Sequence, residues 1–188
     1  MMQVLKDEIR DKILKAAENI FYEKGFKDTT TRSIAKEVGI SVSNLYLYYE
    51  NKEAIFIGVV DEFYKYFIKS IEKFFNHQDE NVEVSISISS LIQKVIIDHG
   101  KKFVIISDKS QGTKYEDFKQ HMIMTLNNHM NTQVNKSLVK DELILYILSK
   151  NFIEGIIEIA KHYKGERCLE SSINTLVTYH MNGMAHLM

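Results

Sequence analysis

Between Thr29 and Lys52 the chain reads TTTRSIAKEVGISVSNLYLYYENK, a stretch whose side chains can grip a polyanion and hydrogen-bond to flat polar edges. Hydroxyls stand at Thr30, Thr31, Ser41 and Ser43, a carboxamide at Asn44, phenols at Tyr46 and Tyr48, and cations at Arg32 and Lys52. Groups of these kinds contact phosphate oxygens and base edges in nucleic-acid complexes. They act together only if two short helices hold them. Ile34, Val38, Ile40, Leu45 and Tyr49 fall where two steeply crossed helices need apolar contacts, and Ala35 is small enough to let them approach. Gly39 can take the positive φ that closes the first helix, and Ser41 then stands where its hydroxyl caps the second. That second helix should run from Val42 to about Tyr49, with Ser43, Tyr46 and Leu47 turned outward. The spacing is that of a helix-turn-helix that docks on DNA. It also fits an ordinary helical hairpin, and spacing alone does not separate the two.

The wider context does. Ile13 to Phe56, ILKAAENIFYEKGFKDTTTRSIAKEVGISVSNLYLYYENKEAIF, resembles the N-terminal domain of the tetracycline-repressor (TetR) family almost position by position. The matching elements are Ala16-Ala17 and Phe21 before Gly25, Thr30 opening the second helix, Ile34-Ala35, Gly39, Leu45-Tyr46, the aromatic Tyr49, and Lys52 opening the next helix. The resemblance implies an all-α fold. In it an N-terminal three-helix DNA-binding domain, residues 1–50, is joined by a long helix to a C-terminal helical ligand-binding and dimerisation domain, residues 51–188. It also implies a ligand-responsive transcriptional regulator, a repressor in the usual case, that binds palindromic double-stranded operator DNA as a homodimer and is released by a small-molecule effector. By the same resemblance Thr31, Arg32, Tyr46 and Lys52 hold phosphates, and Val42, Ser43, Asn44 and Tyr48 read bases, with the cap residues Thr30 and Ser41 part of that surface. For Tyr48, support of the core competes with base contact.

Composition sets the outer bounds. A chain of 188 residues with 45% hydrophobic content can bury a sizeable core, and zero prolines with 8 glycines leave little material for a turn-rich β fold. Net charge is −1, so any attraction to phosphate must be local. From Lys24 to Lys52, Lys24, Lys27, Arg32, Lys36 and Lys52 stand against Asp28, Glu37 and Glu50, a modest positive excess. Cys168, the single cysteine, cannot form an internal disulfide, and MMQVLKDEIRDK lacks the apolar core of a secretion signal, so a cytoplasmic protein is expected. No apolar run approaches the roughly twenty residues that span a bilayer. A helical enzyme or metal-binding bundle is the competing class, yet Glu-x-x-His, His-Glu-x-x-His, Gly-x-Ser-x-Gly and Gly-Lys-Ser/Thr are all missing. No cofactor is expected. A DNA-binding adaptor without an effector is the third possibility.

Helical periodicity organises the remainder. Ile9, Ile13, Ala16-Ala17, Ile20 and Phe21 predict an amphipathic helix from about Lys6 to Lys24, ended by Gly25, with Phe26 folding back. Asn51 should cap a helix from Lys52 to about Phe75, roughly 36 Å long at 1.5 Å per residue. After NHQDEN at 76–81, residues 82–88 alternate as a strand would, but Leu91, Ile92, Val95 and Ile96 return to helical spacing. A lone strand would leave a bare edge, so helix is preferred throughout. Lys101 to Ser110 reads as another short helix.

Thr113 with Glu116 has capping-box spacing and predicts a helix running on to about Asn131. Phe118, Met122, Thr125 and His129 share one side of it, with His121 nearby, and together with Phe103 and Tyr115 they are the candidate ligand-binding set. The single histidines His99 and His121 lack metal-ligand spacing, so no metal site is expected. Lys140 to Lys164 is apolar on more than one side and must be covered twice. Gly165 separates it from a last helix, Glu166 to Met188. Gly155, Ile156, Ile159, Leu176, His180, Gly183 and Met184 are the candidate dimer interface, where two helices from each subunit would make the family's four-helix contact.

Overall fold

The computed structural model describes residues 2–76, 84–135, 137–139 and 141–187. Every regular element among the described residues is helical: α1 Met2–Asp28, α2 Thr31–Val38, α3 Val42–Leu45, α4 Lys52–Asn76, α5 Val84–Asp108, α6 Phe118–Gln133, α7 Glu142–His162 and α8 Glu166–Ala185. The all-α expectation holds, with the three-helix arrangement at the N-terminus followed by the long α4. Residues 84–90 are helical despite their strand-like alternation and form the first two turns of α5, which as a helix packs on α4, α7 and α8. Residues 77–83, the rest of that ambiguous stretch, lie outside the described residues.

Local chemistry accounts for most boundaries. At Gly25 (φ 78°, ψ 168°) the backbone leaves helical geometry, and Phe26 turns back so that its ring lies 6.1 Å from Phe21 and 5.2 Å from Phe56. Thr30 and Ser33 form a reciprocal capping box at the start of α2. At its end Gly39 sits at φ 77° while Ile40 N–H reaches back to the Ala35 carbonyl, as expected for a glycine-terminated helix. Asn51 Oδ1 accepts from Ala54 N–H and Asp141 caps α7 through Leu143 N–H.

Two boundaries differ from expectation. The third helix is shorter: α3 covers Val42–Leu45, and Tyr46 to Tyr48 continue as a turn tightened by Leu47 N–H to Asn44 and Tyr48 N–H to Leu45. Thr113 and Glu116 do not open α6, which begins at Phe118. Thr113 Oγ1 instead donates to the Ser110 carbonyl and accepts from Tyr115 N–H, while the Glu116 carboxylate reaches Gly112 N–H. The same residue types that cap a helix also close a turn, and here the turn wins.

The stretch Lys101 to Ser110 belongs to α5, which is interrupted at His99 (φ −141°, ψ 20°). The His99 ring lies against Phe63 and Tyr66 of α4, and burial lowers its pKa, with Lys102 adding to the effect. One hydrophobic core runs through the molecule, from Ile13, Phe21, Ile34 and Leu45 through Phe56 and Phe63 to Ile105, Phe152 and Ile173. Met130, Val134, Val139, Leu145 and Met184 form a second, smaller cluster between α6, α7 and α8. No described helix is long and apolar enough to cross a membrane.

Candidate nucleic-acid interface

Ile34, Ala35 and Leu45 lie at the buried crossing of α2 and α3, with Tyr49 just beyond, and this sets which residues face outward. Ser41 Oγ accepts from Asn44 N–H and fixes the first turn of α3. Thr30, Arg32, Lys36, Ser41, Ser43, Tyr46 and Leu47 are exposed, and Thr31, Val42 and Asn44 are half-buried beside them. The hydroxyls of Thr31 and Tyr46 stand 3.4 Å apart, so α2 and the turn after α3 present their polar groups to one side. Leu47, on the turn after α3, is 82% exposed. Tyr48 is half-buried and packs against the core, the supporting placement weighed against base contact.

Lys52, an expected phosphate ligand, makes contacts within the chain. Its Nζ donates to the carbonyls of Phe26 at 2.6 Å and Thr29 at 2.8 Å and lies 4.1 Å from the centre of the Phe26 ring. Burial is the largest influence on the ammonium and lowers its pKa, with Asp28 pulling it partly back. A cation so engaged ties the first turn of α4 to the joint between α1 and α2.

The same joint is held from the other side. Phe26 N–H donates to the Lys109 carbonyl, 2.8 Å away, just past the end of α5. Next to it, Asp108 pairs with Lys119 of α6 at 2.8 Å and with Lys161 of α7, and Lys119 also reaches Glu154 at 3.1 Å. Burial raises the Asp108 pKa, but the two lysines outweigh it and hold the carboxyl below its usual range. In the neighbouring turn Tyr115 donates to Asp61 of α4 at 2.6 Å, and burial together with Asp61 pushes the phenol up.

A cavity opens between α4, α5, α6 and α7. The space open to the centre of a water-sized sphere is about 140 Å³, and Phe103, Phe118, Met122 and Thr125 line it as the sequence suggests, joined by His121. Tyr115 and His129 are outside this wall. Tyr115 is turned to Asp61 and the Tyr64 ring, and His129, half-buried further along α6, has its pKa lowered by burial. Residues of α4 and α5, among them Phe67, Ile71, Leu91 and Val95, supply much of the lining. Their helical stripes are legible in the sequence, but periodicity does not say that they face a void.

The candidate dimer residues divide. Gly155 faces inward to α8, where an added Cβ would lie 3.1 Å from Leu176, so it serves contact within the protomer. Ile156 is buried and lines the cavity, Ile159 packs against the core, and Met184 is buried in the second cluster. Leu176, His180 and Gly183 do border an outer groove between α7 and α8, and an added Cβ on Gly183 meets nothing within 4 Å. His180 stacks on Phe152 with ring centres 4.2 Å apart, and burial lowers its pKa. Beside them Leu143, Ile144 and Ile147 are exposed and Tyr179 is 78% exposed. Tyr179 is not among the residues that periodicity singles out, although it lies four before Gly183 on the same stripe.

Residues 13–59 match the family model described as bacterial regulatory proteins, tetR family. Over 158 residues, 79% of this chain and 78% of the relative, the sequence is 32% identical to the biofilm operon icaADBC HTH-type negative transcriptional regulator IcaR of Staphylococcus epidermidis. It is 26% identical to the uncharacterized HTH-type transcriptional regulator YdgC of Bacillus subtilis, over 80% of this chain and 78% of that one. Among solved structures, the ketosteroid transcriptional regulator KstR2 of Mycobacterium tuberculosis shares the fold, with a TM-score of 0.67 over 93% of both chains at 19% identity.

Proposed function

This chain belongs to the TetR family of bacterial regulatory proteins, and from that premise we propose that it is a ligand-responsive repressor that binds a palindromic operator as a homodimer and is released by a small molecule. Its relatives and its fold are those of transcriptional regulators rather than enzymes. In this reading residues 1–50 bind DNA, residues 51–188 bind the effector and dimerise, and the protein acts on DNA in the cytoplasm. The observation that carries it is the course of α4. The helix starts at the Lys52 clasp on the α1–α2 joint and its later turns, from Tyr64 to Phe74, form one wall of the cavity. An effector that separates Phe67 or Ile71 from the opposite wall therefore pulls on the helix whose first residue is clasped to the α1–α2 joint, and through α1 and that joint on α2 and α3. A ligand shifts such an equilibrium only by as much as it prefers one state, so release requires the cavity to differ in shape between the bound and free forms.

On DNA, Thr31, Arg32 and Tyr46 contact phosphates, and Val42, Ser43 and Asn44 meet base edges, with Leu47 added to that group because of its exposure. Dimerisation uses the groove at Leu176, His180 and Gly183 together with Leu143, Ile144, Ile147 and Tyr179. A negative regulator among the relatives favours repression over activation. The test is selection of binding sites from random DNA with the purified chain. Two inverted half-sites whose centres lie one helical turn of about 34 Å apart, or a small multiple, support the proposal. Failure to enrich any sequence, or enrichment of single unpaired sites, overturns it.

A further inference from the structure

The cavity wall has a polarity that constrains what can occupy it. Its interior is formed by the buried side chains of Phe67, Val95, Phe103, Phe118 and Phe152, while His121 and Thr125, one turn apart on α6, are exposed. Among the described residues, no Asp, Glu, Lys or Arg lines it. A charged group drawn into such an interior would be left without a partner, which is the most costly way to bury polarity. The shape is equally restrictive. Lining residues on α4 run from Tyr64 to Phe74, about 15 Å at 1.5 Å per residue. Spread evenly over that length, a space of about 140 Å³ would have a cross-section on the order of 10 Å², which with the ~1.4 Å radius of a water-sized sphere added corresponds to a width of roughly 6 Å. That is the width of one hydrocarbon chain, not of a fused-ring body lying flat.

We infer that the cavity takes a single-chain amphiphile, with an unbranched hydrocarbon body lying along α4 and one oxygen-bearing head group held at the mouth by His121 and Thr125. The inference rests on reading this cavity as the effector site and adds the ligand's class. The head can be a hydroxyl or a carboxylate, since both accept hydrogen bonds from the imidazole or the threonine hydroxyl at a position open to water.

Calorimetric titration of the full chain with n-alkanols and n-alkanoic acids of increasing length, each below its micelle concentration, tests it without DNA. Affinity should rise about fourfold per methylene until the chain outgrows the roughly 15 Å wall, then level off. His121→Ala combined with Thr125→Ala should weaken every chain by the same factor and leave the per-methylene slope unchanged. Met122→Trp, whose new ring fills the half-exposed rim, should abolish binding while site-selected DNA is still bound. Absence of a chain-length dependence, undiminished binding by Met122→Trp, or tight binding of glucose 6-phosphate or AMP in place of the chains would overturn the inference. If the chains bind with the expected slope yet leave the DNA complex intact, the ligand class stands and the effector reading falls. If another compound releases DNA while no chain binds, the reading stands and the inference falls.

Discussion

Replacing Lys52 by Met keeps the stem of the side chain and removes the ammonium that bridges the carbonyls of Phe26 and Thr29. A hydrogen bond to a charged group contributes about 1.5–3 kcal/mol net when its partner is left without water. Thr29 is buried, so its carbonyl is the one that loses most, whereas Phe26 is half-buried and regains some hydration. The cation over the Phe26 ring adds about 0.5–1 kcal/mol. Together these place the cost of Lys52→Met at about 2–4 kcal/mol, or a drop in Tm of about 4–16 °C for a chain of this size. Thermal unfolding followed by circular dichroism measures it directly. A second readout separates a clasp from a phosphate contact. If Lys52 neutralises a phosphate on each subunit, its loss lowers the slope of log affinity against log salt by about one per contact, whereas a clasp leaves that slope alone. An unchanged Tm together with a reduced salt slope would refute the clasp and restore the role the sequence suggests.

Gly183→Arg should give a folded monomer, because a side chain there meets nothing within its own protomer, and sedimentation showing a folded dimer would rule out this face. Asn44→Ala should relax preference at one base pair, by about 1–3 kcal/mol against the best site, since a carboxamide matches adenine in the major groove. The stretch Ser41 to Glu50 has no Arg or Lys to pair with guanine, so half-sites rich in A·T are expected, and site selection that returned G·C-rich half-sites would exclude this reading. His180 has its pKa lowered by burial, so the folded chain holds fewer protons there than the unfolded chain. Stability is then full above the unfolded value of about 6.5 and is lost as pH falls from there toward the folded value. Tm should decline on acidification from about pH 7 to 5, and His180→Gln should flatten that decline.

The helix-turn-helix was legible because its determinants are local. Gly39, Ser41 and Asn51 specify their turns and caps through backbone geometry within a few residues, and Ile34 and Leu45 bury at the crossing their spacing requires. Lys52 was not legible in the same way. A long cation can meet a phosphate or a carbonyl equally well, and the carbonyls become visible as partners only once Phe26 and Thr29 are folded into its reach. In α7 the difficulty is of another kind. A helix apolar on several sides has more than one covered face, and nothing in its periodicity says that Ile156 looks into a cavity while Ile144 looks outward. Thr113 and Glu116 show that a capping pattern competes with a turn built from the same groups, and the outcome depends on where Ser110 lies.

The bond from Phe26 N–H to the Lys109 carbonyl joins main chain to main chain, and so it does not depend on which side chain either residue carries. Proline at position 26 would remove the donor, whereas every other residue type supplies the same N–H and carbonyl. Side chains around the joint can therefore drift over evolutionary time while its register persists. Under the proposed function, the cavity lining can then change residue by residue while this main-chain link to the α1–α2 joint stays the same. Such a link leaves no trace in an amino-acid alphabet, and kinship in how these proteins are wired can outlast kinship in their sequences.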